Sequence, residues 1–205
     1  KGDRQTLRAI MQRLDQGVGR VLEALRQTGR ADTALVIFCS DNGAYPIAAS
    51  NAQFRGHASE LFEGGIHVAC MARWPGQLPV NVIDDRLMLT FDLTASILAA
   101  AGCPPPRDPA IDGIDILGQI RDREPAAKRT LFWRSRRADR TWKAVREGAH
   151  KYVYRKDGDQ RDEFLFDLSQ DAGEQKNLIN TQPEHAASLK RQLADWETAM
   201  GETAP

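Results

Sequence analysis

Five residues, Ala34-Leu35-Val36-Ile37-Phe38, form an almost unbroken apolar run after Asp32-Thr33, and Asp41-Asn42-Gly43 closes it. A run of that length without polar alternation predicts a short strand covered on both faces, as in a sheet flanked by helices. It follows a stretch in which Leu7, Ile10, Met11, Leu14, Val18, Val21, Leu22 and Leu25 recur at three- and four-residue steps. That is the period of a helix burying one face, here stopped at Gly29. Helix followed by buried strand is the grammar of an α/β fold, which places its sites on loops after strand C-termini.

The rest of the chain changes character once. A loop of small residues from Ala44 to Gly65 leads to a second apolar stretch, Ile66 to Trp74, ended by Pro75-Gly76. Residues 84–101 read as a helix stopped by Gly102 and Pro104-Pro105-Pro106. From Thr130 to Leu168 short aromatic and β-branched runs alternate with polar turns, which predicts an antiparallel meander of about four strands. Pro183 then opens a terminal helix with Ala186, Leu189, Leu193 and Trp196 on one side. The expected architecture is therefore α/β: residues 1–125 carry a mainly parallel sheet flanked by helices, and residues 126–205 form a smaller α+β subdomain with an antiparallel sheet and a helix.

Composition narrows the function classes. With 205 residues, 41% hydrophobic and 27% charged, the chain is in the ordinary globular range. Its 28 Lys and Arg balance 28 Asp and Glu, which argues against a nucleic-acid partner held by a globally basic surface. Residues 121–156 carry 13 basic and 4 acidic side chains, and residues 157–205 carry 4 and 11, so the two segments are expected to neutralise each other. No apolar run approaches the ~20 residues of a membrane span. Cys39, Cys70 and Cys103 have neither the C-x-x-C spacing of a zinc module nor the even number of a disulfide scaffold, and their redox state stays open. A helical pattern running almost from Lys1 raises the expectation that the coding sequence begins upstream.

Two groups of residues look like a site. Asp41 and Asn42 offer a carboxylate and an amide oxygen at a strand end, the hard ligands that Ca²⁺ or Mg²⁺ takes, although Asn-Gly is equally a common turn. Arg55-Gly56-His57 and Glu63-Gly64-Gly65-Ile66-His67 bring a guanidinium and two imidazoles into one loop, as a pocket for an anion requires. The plain alternative is a solvated loop with glycine turns.

Several segments together, in order and spacing, resemble the sulfatase family of the alkaline-phosphatase-like superfamily. They are Leu14-Asp15-Gln16-Gly17-Val18-Gly19, LVIFCSDNG at 35–43, FRGHASELFEGGIHV at 54–68, Arg73-Trp74-Pro75-Gly76 and Asp112-Gly113-Ile114-Asp115-Ile116-Leu117. Phe164-Leu165-Phe166-Asp167-Leu168 with Asp171, Gly173-Glu174 and Asn177-Leu178 completes the set. The resemblance implies the carboxy-terminal portion of a sulfuric ester hydrolase that acts through one Ca²⁺ and a formylglycine nucleophile. Asp41 and Asn42 would be two of the calcium ligands. The other two, the formylglycine and every catalytic residue would belong to a missing amino-terminal half, so this chain alone is expected to be inactive. The string Cys103-Pro104-Pro105-Pro106-Arg107 matches the C-x-P-x-R formylglycine motif in letters only, because it follows a helix instead of opening one.

Arg55 and His57 would be substrate-binding, and Ala58 stands where the family usually carries a sulfate-contacting Lys. His67 replaces the usual Arg and Ala69 the usual Pro. The implied partner is a small-molecule or glycan sulfate ester, and the implied location is periplasmic, secreted or lysosomal. Two other readings stay open: a non-catalytic remnant or relative that keeps the fold, and a phosphate or phosphonate ester hydrolase of the same superfamily.

Overall fold

The computed structural model describes residues 2–106 and 110–201. Arg107, the last residue of the C-x-P-x-R string, lies outside them. The chain divides into two compact units: one contains residues through Leu14, Cys39–Cys70 and the chain from Lys128 onward, and the other contains Asp15–Phe38 and Met71–Ala127.

Helix α1 spans Gly2–Gln27. It ends where the periodicity said it would, because Gly29 takes φ +66° and Arg30 N–H returns to the Leu25 carbonyl at 2.8 Å. The expectation that one face is buried is corrected: Ile10, Met11, Leu14, Val21 and Leu22 are all exposed. The apolar stripe is real, but no packing among the described residues covers it.

Most of strand β1 (Val36–Cys39) and of strand β2 (Cys70–Arg73) falls in the unit of residues 15–38 and 71–127, and the two are neighbours in a two-stranded sheet. Helix α3 (Thr90–Ala100) is shorter than the apolar pattern over 84–101 suggests. The reason is Asp92, a buried carboxylate that accepts N–H from Leu89 at 2.7 Å and from Ile114 at 3.0 Å. It fixes the helix start at residue 90, and residues 84–89 remain irregular. Cys103 follows this helix, with its N–H returning to the Leu98 carbonyl. Helix α4 (Ile116–Arg121) begins on an Asp115 cap that accepts the Gly118 N–H at 2.8 Å.

The other unit contains the predicted meander. Strands β3 (Thr130–Arg137), β4 (Arg140–Glu147), β5 (His150–Asp157) and β6 (Gln160–Asp167) pair antiparallel in sequence order. Register sets which side chains share a face: Val145, Tyr152 and Leu165 line up across three strands, as do Ala144, Val153 and Phe164 on the opposite face. The first face lies under helix α5 (Pro183–Ala199) through Ala186, Leu189 and Leu193. The second face packs Trp142, Ala144, Val153 and Phe166 against Leu61 and Phe62 of the long loop before β2. Because that loop is anchored on the sheet, the residues beside it acquire fixed positions.

Candidate functional site

All the residues singled out for a site lie on one loop, from Ser40 to Ala69, and belong to the same compact unit. At its base, Ser40 N–H bonds the Ala69 carbonyl at 3.1 Å and Gly43 N–H bonds the Gly65 carbonyl at 2.9 Å. Between these anchors Asp41 and Asn42 are exposed. Asn42 N–H donates to Asp41 Oδ1 at 3.0 Å, and Ser40 Oγ donates to the Asn42 carbonyl at 2.9 Å. Local bonds thus hold the pair at an exposed position.

Three glycines permit this geometry through close backbone approach. A Cβ on Gly43 would overlap the Gly64 carbonyl, one on Gly64 would overlap the Arg55 and Gly56 carbonyl oxygens, and one on Gly65 would overlap the Glu60 carbonyl oxygen. Gly64 N–H already bonds the Arg55 carbonyl at 2.6 Å. The Asp41–Asn42 turn and the Glu63-Gly64-Gly65 segment, which is the start of helix α2 (Glu63–Ile66), are therefore stacked backbone on backbone.

Beneath them is a buried ionic cluster. Lys151 is fully buried on β5, and its Nζ donates to Glu63 Oε1 at 2.8 Å and lies 2.9 Å from Glu174 Oε1. The latter contact is an ion pair without an aligned hydrogen bond. Glu174 Oε2 accepts the Glu63 N–H at 2.6 Å, His67 Nδ1 lies 3.0 Å from Glu63 Oε2, and Arg146 Nη1 lies 3.6 Å from the same oxygen. Burial pushes the Glu63 carboxyl upward, but the His67 bond, the Lys151 charge and bond, and the Arg146 charge outweigh it and hold the group at about 2. For Glu174 the balance is reversed: burial prevails over Lys151 and its carboxyl is raised. Two carboxylates sharing one ammonium are thus pushed in opposite directions.

The structure gives the three basic residues of the loop different surroundings. The Arg55 guanidinium lies 4.0 Å from the Phe62 ring centre and 4.9 Å from that of Phe164, and its Nη1 donates to the Glu174 carbonyl at 3.1 Å. It ties the loop to β6 and the segment after it. His57 is more open: its Nδ1 lies 3.0 Å from the Ala58 carbonyl, which can only accept, so Nδ1 carries a proton, and Nε2 lies 3.6 Å from Glu60 Oε1. His67 stacks on Phe54 with ring centres 4.4 Å apart. Ala58 presents a methyl group, and its N–H is bonded to the Ala44 carbonyl.

Sequence reasoning missed the buried cluster. Its local signals were a lysine inside the apolar run Lys151-Tyr152-Val153-Tyr154 and, 88 residues earlier, Glu63 before two glycines. Cys39 and Cys70 stand at the two ends of the loop, and burial together with Cys39 pushes the Cys70 thiol up to about 11.

The sulfatase family model matches residues 4–103. N-acetylgalactosamine-6-sulfatase of Homo sapiens is 38% identical over 120 residues, which is 54% of this chain and 23% of that protein. A sulfatase of Formosa agariphila is 28% identical over 217 residues, covering 92% of this chain and 38% of its own length. The crystal structure of Ps i-CgsB in complex with k-i-k-neocarrahexaose superposes with a TM-score of 0.86 at 24% identity, over 96% of this chain and 43% of that one. The chain thus spans less than half the length of each of these proteins. Matching segments from the first helix through the end of α3 make the chain similar to sulfatases, and its fold is shared with the Ps i-CgsB structure over nearly all of its residues.

Proposed function

We propose that this chain is the carboxy-terminal part of a sulfate-ester hydrolase and that Asp41 and Asn42 supply two oxygen ligands to its calcium ion. The observation that carries the reading is the pair itself: a carboxylate and an amide side by side, exposed at the end of β1 and fixed from below by Gly43 and Gly65, in a chain similar to sulfatases. Their donor chemistry fits calcium, which takes six to eight oxygens at about 2.3–2.6 Å. Among the described residues no group of three or more His, Cys, Asp and Glu is placed to hold a metal. In this reading Asp41 and Asn42 supply two of the ligands, and the remaining oxygens and the formylglycine would come from the part of the protein that its relatives have beyond this span. Calcium bound there would neutralise charge on the sulfate oxygens as the ester bond breaks.

The residues of this chain shape and support that site. His57 is the proposed substrate contact, since its ring is partly exposed and its Nδ1 proton is directed to the Ala58 carbonyl. Arg55, which the resemblance marks as substrate-binding, acts here by holding the loop onto the aromatic surface of Phe62 and Phe164. The subdomain of residues 126–205 is the platform for that loop.

Hydrolysis of a matched pair of aryl esters by the complete protein, one sulfate and one phosphate, tests the substrate class. Sulfate turnover at least tenfold above phosphate turnover is expected; the reverse order would favour the phosphoryl reading. Glycan sulfates are the next substrates to try, because the human relative's name specifies a sulfated amino sugar. Ala58 gives a second prediction. Ala58→Lys restores an ammonium to a position that lacks one, and a charge-assisted bond to a sulfate oxygen contributes about 1.5–3 kcal/mol. KM for the sulfate ester is expected to fall about tenfold or more with kcat little changed, and an unchanged KM would mean that position 58 does not face the substrate.

A further inference from the structure

Cys39 closes β1 and Cys70 opens β2, and these strands are neighbours in one sheet. The residue after Cys39 and the residue before Cys70 are joined by the Ser40 N–H to Ala69 carbonyl bond at 3.1 Å. Cys39 Sγ reaches the Ser40 carbonyl at 3.2 Å, beside that backbone bond. Neighbouring strands lie about 4.7–4.9 Å apart, inside the span of about 4.4–6.8 Å over which a disulfide joins two Cα atoms. Both cysteines are half-buried, within reach of a small oxidant, whereas Cys103 is exposed and its Sγ donates to the Ala101 carbonyl at 3.8 Å.

We infer that Cys39 and Cys70 form a dithiol–disulfide pair that staples the base of the loop from residue 40 to residue 69. That loop carries Asp41, Asn42, Arg55 and His57, so the bond would tie together the two ends of the segment that holds every candidate site residue. The inference rests on strand adjacency and on the Ser40–Ala69 backbone bond beside the two cysteines, and it stands whether or not the Asp41–Asn42 pair binds calcium.

The chemistry is exchange with a small-molecule disulfide such as oxidised glutathione. One cysteine sulfur attacks the oxidant, forming a mixed disulfide and expelling one glutathione thiol. The second cysteine sulfur then attacks the protein sulfur of that mixed disulfide and expels the second. Two electrons pass from the cysteine pair to the oxidant, and the two protons leave on the two glutathione thiols. Closing a loop of this length restricts the unfolded chain, so the oxidised form resists unfolding more than the reduced form.

Peptide mapping of the wild-type chain after incubation with oxidised glutathione, acid quench, alkylation and trypsin digestion tests it. Trypsin cuts at Arg55, between the two cysteines, so the linkage appears as two joined peptides. The expected result is a Cys39–Cys70 link that dithiothreitol reverses, with a glutathione adduct on Cys103. In Cys70→Ser the intermediate should be trapped, leaving glutathione on Cys39. Independent adducts on Cys39 and Cys70, both thiols alkylated, pairings spread statistically over Cys103, or an unmodified Cys39 in the variant would each overturn the proposal.

Discussion

Replacing Lys151 with Met is expected to lower stability by about 3–5 kcal/mol, the cost of removing one partner from a buried ionic cluster. The side chain is fully buried between Glu63 and Glu174, at 2.8 and 2.9 Å, and Met fills similar volume without an ammonium. Two buried carboxylates would then face each other with Arg146, 3.6 Å from Glu63, as the nearby cation. Thermal unfolding checks the size of the effect. Glu174→Gln, which keeps an acceptor for the Glu63 N–H, should cost clearly less.

Acid titration separates this mechanism from a packing defect. The folded Glu63 carboxyl is held at about 2 against an ordinary 4.5, so its contribution is fully present above 4.5 and is lost as pH falls toward 2. Glu174 has the opposite sign: its carboxyl is raised, so protonation on acidification returns some stability and partly offsets the loss. Wild type should therefore lose stability between about pH 4.5 and 2, and Lys151→Met should lose less over that window because the Lys151 contribution to the Glu63 shift is gone. Parallel pH profiles for the two proteins would contradict the assignment.

Gly64→Ala is expected to disrupt the site as well as the fold. The added methyl would overlap the Arg55 and Gly56 carbonyl oxygens, which belong to backbone and cannot rotate away. Overpacking of this kind costs about 1–3 kcal/mol. The larger consequence is positional, because Gly64 and Gly65 support the turn that presents Asp41 and Asn42. Calcium affinity of the complete protein should fall at least tenfold. Gly17→Ala on α1, where nothing lies within 4 Å of the added methyl, should instead stabilise by about 0.5–1 kcal/mol through helix propensity. Equal effects from the two substitutions would show that the glycine stacking has no special role.

Local chemistry made much of the architecture legible. The run ending at Phe38 gave β1, alternating aromatics gave the meander, and Pro183 gave the start of α5. The start of α3 was not legible, because Asp92 sets it by reaching Ile114, 22 residues away. Lys151 was hidden for a similar reason: its partners lie 88 residues before it in Glu63 and beyond β6 in Glu174, and no periodicity links such positions. The exposed stripe of α1 shows the converse limit, since a pattern records which face is apolar but not what covers it. Arg55 looked like an anion contact because its chemistry suits one, whereas three-dimensional packing placed it against Phe62 and Phe164.

The most direct test is sulfate-ester turnover by the complete protein, titrated with calcium after chelation, in wild type and in Asp41→Ala. Turnover should rise with calcium and saturate, and Asp41→Ala should lose about a hundredfold or more in kcat/KM and need higher calcium, as expected when a charge-stabilising ion loses a carboxylate ligand. Turnover that is indifferent to chelation and unchanged in Asp41→Ala would contradict the account.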